Sequence, residues 1–477
     1  MCKHWRTTSI RVSSVPDFDV AIVGGGISGL SAAYELDQRE VDYVLLETSS
    51  RFGGVIQTDH VDGFTIDGGP DSLLVQKPAA IELCHELGLG DRLVPTLLPR
   101  TAYILRGDRL APLPHTSVLG IPTRLLPFLR SGLLSPAGIA RLAAEVAIPA
   151  SHSPADESVG AFFRRRFGQQ SVDYIAEPLL AGIHAGDVER LSMQSLFPRL
   201  VRAEREHGSL IRRFRSQAAA SRPADGMFRS LPNGLGELTA ALVARLAPHR
   251  LRADHPVARI SAADRPNRFS ITTSEATFTA SQVLLATPAP VTARLVDTVD
   301  PELSRLCGDI RYTSTATVVL GYRAIAVGRS FPGTGFVVPR LERAWSLMAG
   351  SWVSSKWPGR APEGSVLFRG FLGGVRDPDA VTRSDDWLVD AAHKDFADLL
   401  KLTESPTLRR VFRWPHLNPQ HDVGHLDRLE SIDRCLERWP GLYLTGAGFH
   451  GVGIPDCIAN ARRLAATIAL TGTATHA

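Results

Sequence analysis

Cysteine is scarce in this chain: Cys2, Cys84, Cys307, Cys435 and Cys457 are the five present, and none forms a C-x-x-C pair. An odd, scattered set argues against a disulfide framework and for a reducing compartment. No apolar run approaches the ~18 residues of a membrane-crossing helix, so none is expected. A dominant charge is missing too. A net charge of +4 over 477 residues suits anionic substrates or an anionic surface but makes no case for nucleic acid. There is no internal repeat and no low-complexity tract, which excludes a repeat array. Patterns of the HxxxC and HxxE kind at usable spacing are absent or isolated, and no strong acid–base pair stands out. We therefore expect no metal and no catalytic side chain of the acid–base kind.

What is present is ordinary globular material, 44% hydrophobic and 21% charged, with a length prior of about three domain-sized units. "DVAIV" (residues 19–23) is a short apolar run ending in glycines. "SGLSAAYEL" follows with helical character, and "YVLLE" (residues 43–47) is a second apolar run ending in an acid. This reads as a βαβ unit. Residues 112–215 alternate apolar helical pieces with prolines and arginines and predict a helical domain. Strand-like runs return in "RFSITTSEATFTASQVLLAT", "TATVVLGY", "GFVVP" and "SVLFRGFLGG", and "GLYLTGAG" is the last of them. The expected fold class is α/β with mixed sheets. A Rossmann-type nucleotide domain comprises 17–92, 226–292 and 436–472, and a mixed-sheet substrate domain comprises 93–111 and 293–435. Residues 112–215 form the inserted helical domain, 221–227 are a connector, and 1–16 are a flexible extension.

Gly24, Gly26 and Gly29 make G-x-G-x-x-G between the first strand and helix. The first glycine permits the turn, the second lets backbone approach a diphosphate, and the third lets helix and strand lie close. The helix start then offers free N–H groups to the phosphates. Glu47 ends the second strand, where a carboxylate accepts from ribose hydroxyls. Arg51, Gly53 and Gly54 come soon after, and "FTIDGGP" adds Gly68 and Gly69. A second glycine pair suits a longer ligand than NAD and favours FAD; a plain hairpin bend is the structural alternative. Near the other end, "LTGAGFHGVGIPDCI" repeats the pattern of strand, glycine-rich loop and helix start, with Pro455 expected at the first helical position. A helix N-terminus behind Gly451, Val452, Gly453 and Ile454 would stabilise the electron-rich edge of a reduced flavin.

These stretches, with "AEPLLAGIHAGDVERLSMQSLFPRL", "REHGSLIRRF" and "FLGG", resemble the oxygen-dependent protoporphyrinogen/coproporphyrinogen oxidase family, within the amine-oxidase-like flavoproteins. The match runs along most of the chain. The GVGIPDCI and GIHAGD elements are far more specific than the first glycine motif, which many FAD enzymes share. The resemblance implies FAD contacts at Ile27, Ser28, Thr48, Val55, Val257 and Gly446, besides the residues already named. It implies a tetrapyrrole substrate and oxygen as acceptor: three two-electron oxidations of protoporphyrinogen IX at the flavin, with three hydrogen peroxide released. Arg100 matches the position that pairs with a propionate; a surface arginine is the structural alternative. Phe371 and Val337 match positions packing on either side of a pyrrole ring, although by pattern alone they are core strand residues. Gly182 belongs to a loop, GIHAG, whose backbone approaches the substrate; His184 there departs from the aromatic residue expected. His450 reads as structural.

The resemblance also implies a cytoplasmic enzyme, lying peripherally on the inner membrane if the source is bacterial. Six arginines against two glutamates between Arg199 and Arg215 agree with such a surface and equally with a solvated helix face. A homodimer and handover of product to a chelatase are compatible with it. The alternative substrate is coproporphyrinogen III. An amine oxidase or carotenoid desaturase shares only the first motif and the fold, and a non-catalytic binder of prenylated partners would not need intact flavin loops.

Overall fold

The computed structural model describes residues 17–217, 225–263 and 268–473. The expected extension at 1–16 and part of the connector at 221–227 lie outside the described residues. The strand Asp17–Val23, the helix Ile27–Asp37 and the strand Tyr43–Leu46 form the expected βαβ unit. Tyr43–Leu46 is buried throughout, as a parallel strand covered on both faces must be.

The first sheet decides where the two glycine loops meet. Leu251–Arg252, Tyr43–Leu46, Asp17–Val23 and Thr277–Leu285 run parallel in that order. Val283, Leu284 and Leu285 pair with Ala21, Ile22 and Val23 on one side. On the other they pair with Leu442, Tyr443 and Leu444 of the last strand, also parallel. Strands from the two ends of the chain thus lie two places apart, roughly 10 Å, and their C-terminal loops leave by the same edge. Phe269–Thr273 and Val257–Ala262 extend the sheet antiparallel. The closing helix Ile454–Thr473 buries Ile458, Ala465 and Ile468 against the first helix, as their spacing predicts. Pro455 lies one residue inside this helix, in the first turn, where a missing N–H is harmless.

A second sheet has the order Leu408–Pro419, Tyr312–Arg323, Ser365–Gly373, Ala349–Trp352, Gly335–Val337, Ala102–Arg106, Arg109–Pro112. The helix Asp385–Leu400 covers one face, packing Leu388, Ala392 and Phe396 on Val318, Leu320, Phe368 and Leu372. On the other face a single cross-strand row runs Phe412, Thr317, Phe371, Ala349, Val337, Ile104. Its Phe412 end packs beside Phe64 and Ile66, and its Ile104 end beside the helical core. Four strands of this sheet, Ala102–Arg106, Arg109–Pro112, Ala349–Trp352 and Leu408–Pro419, are absent from the sequence-based expectation.

Short helices from Leu125 to Gln217 surround Phe128, Phe162, Phe163, Ile175 and Met193. The fully buried Arg166 pairs with the equally buried Glu145 and donates to the carbonyls of Ile148 and Gly208. Pro178 cannot donate within Val172–Ala181, which winds as a wide π-helix and leads into the Gly182–His184 turn. Among the described residues, no helix is long and apolar enough to cross a membrane.

Candidate functional site

The first glycine turn is built by close backbone packing. Gly24 has φ +105°, and a Cβ there would stand 2.7 Å from the Ala286 carbonyl. A Cβ on Gly29 would overlap the Gly24 carbonyl, so only glycine lets the helix start this near the strand. The second pair lies directly against the first: the Gly53 N–H donates to the Gly25 carbonyl at 2.8 Å, and a Cβ on Gly54 would fall 3.1 Å from the Gly26 Cα. Arg51 closes this turn by donating to the Gly54 and Ile56 carbonyls at 2.5 and 3.3 Å.

Glu47 is buried at the end of its strand. It accepts from the Gly25 N–H at 2.6 Å, the Ser49 N–H at 2.9 Å and the Ser49 hydroxyl at 2.7 Å. Thr48 beside it is exposed. Val257 opens the strand that follows His255, whose N–H donates to the Glu47 carbonyl at 2.8 Å. Gly68 fits under the Phe412 ring and Gly69 under the Val55 carbonyl.

The closing turn joins the same place. A Cβ on Gly448 would meet Ala289 at 3.4 Å, and the Thr445 N–H donates to Leu285 at 2.9 Å. Lys77 pairs with Asp456 at 2.5 Å, tying the closing helix to the segment that follows Gly68–Gly69. Cys457, from that helix, turns its thiol to the Gly451 and Val452 carbonyls of the closing turn at 3.7 and 3.9 Å, and burial pushes that thiol up to about 11. The residues fit a flavin dinucleotide. A carboxylate ends the second strand, and the space around Gly26 is open, with no atom nearer a Cβ there than Gly54 Cα at 3.9 Å. Thr445 carries a buried hydroxyl without a partner among the described residues, beside Gly446.

Gly182–Gly186 packs on the end of the strand that carries Phe371. The Val375 N–H donates to Ala185 at 3.1 Å, and Gly374, at φ +60°, has room for no Cβ against Ala185. Ala185 itself is left-handed, φ +49°. Burial, reinforced by Lys77, lowers the His184 pKa to about 4. Phe371 and Val337 are half-buried in one row with Ala349 between them, so they lie on one sheet face instead of facing each other across a gap. The Arg369 guanidinium lies 4.9 Å from the Phe371 ring. Arg100 lies two residues before the strand Ala102–Arg106, its guanidinium against Gly226. Its Nε donates to the Thr96 carbonyl and hydroxyl at 3.0 and 2.9 Å.

Two groups around the site escaped the sequence reading. One is ionic: Asp71 takes Lys356 at 2.9 Å, Arg369 at 3.1 Å and the Trp357 indole at 3.1 Å. Burial opposes its ionisation, but Arg369 and Lys356 outweigh it and hold the carboxyl well below the usual range. Arg369 also donates to the Asp67 and Gly69 carbonyls, fixing the glycine pair to the second sheet. The other is "QHDVGH", residues 420–425, which touches the GIHAG loop and the closing turn at once. Its i, i+4 histidines were the available signal. Among the described residues, Asp300, Glu302 and Cys435 could converge on an ion, but Arg438 pairs with both acids and Asp300 caps a helix.

Residues 27–469 match the family of flavin-containing amine oxidoreductases. The chain is similar to coproporphyrinogen III oxidase of Bacillus subtilis (strain 168), 36% identical across 92% of this chain and 95% of that one. It is 25% identical to protoporphyrinogen oxidase 2, chloroplastic/mitochondrial, of Arabidopsis thaliana, across 94% and 93%. A solved structure from Exiguobacterium sp. 255-15, described on provisional assignment as a protoporphyrinogen oxidase, superposes with TM-score 0.84 at 33% identity, covering 96% of this chain and 99% of that one.

Proposed function

The chain belongs to the flavin-containing amine oxidoreductases, and within them to the protoporphyrinogen/coproporphyrinogen oxidase family, and from that premise we propose that it oxidises coproporphyrinogen III to coproporphyrin III with oxygen as acceptor. The enzyme is an oxidoreductase and its cofactor is FAD. The expectation of protoporphyrinogen IX gives way to its alternative, because relatives named for coproporphyrinogen reach 36% identity and the plant protoporphyrinogen enzyme 25%.

One observation carries the chemistry: the two glycine turns leave the same edge of the first sheet, and the second sheet, tied by Arg369 to Gly69, presents a row that holds no acid or base. When bound, FAD supplies a two-electron acceptor that oxygen resets, so three rounds remove the six electrons and six protons that separate porphyrinogen from porphyrin. The chain's own residues bind and orient. Phe371, Ala349 and Val337 offer a greasy floor to a flat ring and exclude water from it. The Gly182–Gly186 backbone limits how far the ring slides. Arg100, turned by Thr96, takes a propionate, its planar fork matching a carboxylate. Glu47, Gly24, Gly26, Gly29, Gly53 and Gly54 hold the dinucleotide, and Gly446–Ile454 borders the flavin edge.

The discriminating experiment supplies purified enzyme with coproporphyrinogen III and protoporphyrinogen IX and follows porphyrin fluorescence. A kcat/KM at least about tenfold higher for coproporphyrinogen is expected. Equal rates, or a preference for protoporphyrinogen, would defeat this choice of substrate.

A further inference from the structure

We propose that His421 and His425 are positioning residues for the flavin reaction: a stacked imidazole pair that fixes the closing turn and couples it to the loop beside the substrate. The two rings lie 3.9 Å apart between centroids, tilted by 14°. Each reaches a carbonyl of the same turn: His421 Nε2 lies 3.1 Å from the Ala447 oxygen, and His425 Nε2 lies 3.1 Å from the Phe449 oxygen. Carbonyl oxygens only accept, so both rings carry their proton on Nε2. His421 Nδ1 then accepts from the Ser195 hydroxyl at 3.1 Å. His425 Nδ1 is buried with no partner among the described residues, which a neutral ring tolerates far better than an imidazolium.

Both histidines stand on a braced segment. Between them, Asp422 takes Arg311 at 2.8 and 3.1 Å and Arg190 at 3.2 Å. The His421 carbonyl accepts from the Ser192 N–H at 2.8 Å. Next to it, Gln420 donates to the His184 carbonyl at 2.9 Å. One segment thus holds the turn before the closing helix, the GIHAG loop and the helical region together. Burial lowers both imidazoles below their ordinary range, His425 to about 4, and each ring also feels His450 nearby. Neutral donors are what this turn needs: they anchor its carbonyls without placing a fixed charge beside a flavin that changes charge.

The inference rests on the reading that Gly446–Ile454 borders the flavin, and not on which porphyrinogen is oxidised. Its test is the midpoint potential and FAD affinity of the holoenzyme without substrate, in His421→Leu, His425→Leu, His421→Gln and Ser195→Ala. Losing the donor loosens the turn and the helix start behind it. The reduced form should then lose about tenfold of its preference, a potential about 30 mV more negative in each leucine variant. His421→Gln, whose amide N–H can reach the same carbonyl, should stay within about threefold of wild type. Ser195→Ala should move the potential in the same direction by less. Unchanged potentials in the leucine variants, or glutamine behaving as leucine does, would overturn the proposal. Should the leucine variants fail to fold, ¹⁵N spectra of wild-type histidines decide: two neutral Nε2–H rings at pH 7 support it, and an Nδ1–H ring or an imidazolium at either position overturns it. Wild-type turnover, measured in parallel, bears on the substrate alone.

Discussion

A methyl group added at Gly29 would overlap the Gly24 carbonyl and approach Ala286 Cβ at 3.5 Å, so Gly29→Ala must push helix and strand apart. Overpacking of this kind costs about 1–3 kcal/mol, and here it moves the N–H groups meant for the diphosphate. Purified Gly29→Ala should therefore carry less than about a tenth of the wild-type flavin, read from the absorbance near 450 nm against that at 280 nm. Full flavin content would remove this turn from the dinucleotide site. Phe371 makes a different case, being half-buried with its ring under Arg369. Truncation to alanine takes away ligand surface more than core. A KM for coproporphyrinogen raised about tenfold, with unfolding free energy lowered by no more than about 2 kcal/mol, is expected. A large stability loss with unchanged KM would return Phe371 to the core.

Between elements, a buried ion cluster fastens the loop after Gly68–Gly69 to the second sheet. Asp71 is shared there by Lys356 and Arg369. Removing one member of a buried pair leaves the partner charged and unpaired, which costs about 3–5 kcal/mol. Asp71→Asn should lower the urea midpoint accordingly and release flavin before the main transition; a coincident, unshifted transition would contradict it. The helices Pro198–His207 and Leu210–Gln217 raise a separate question. Glu204 is occupied by Arg165 and Arg166, whereas Arg199, Arg202, Arg205, Arg212 and Arg215 are exposed. We therefore propose peripheral contact of this face with anionic lipid. Co-sedimentation with anionic vesicles should be strong at low salt and lost above about 0.3 M, where screening reaches within a few ångströms. Binding to neutral vesicles alone would refute the electrostatic reading.

For the molecule as a whole, the buried histidines set a pH dependence. His184 and His425 are lowered to about 4 and His421 well below its ordinary value. Between about pH 4 and 6.5 the unfolded chain binds protons there that the folded chain does not, so stability rises with pH across that window and falls on acidification. Thermal unfolding followed by circular dichroism should show Tm dropping from pH 7 to pH 5, and dropping less in His425→Gln. A flat profile would mean that the rings are protonated in the fold.

Much of this was legible in the chain. Apolar runs ending in glycines, an acid at the end of the second run and a proline in a helix's first turn are local signals. They set the βαβ unit, the closing strand and helix, and the buried Ile458, Ala465 and Ile468, because backbone freedom and side-chain period act over a few residues. The strand Leu408–Pro419 was not legible, since Arg409, Arg410, Arg413 and Pro415 break its alternation. Its place comes from pairing with Tyr312–Arg323. The row Phe412, Phe371, Val337, the Asp71 cluster and the hold of His421 and His425 on the closing turn were likewise decided by tertiary structure. Each joins residues far apart in sequence, and no local pattern encodes a register between strands or the burial that makes a charge or a ring nitrogen matter.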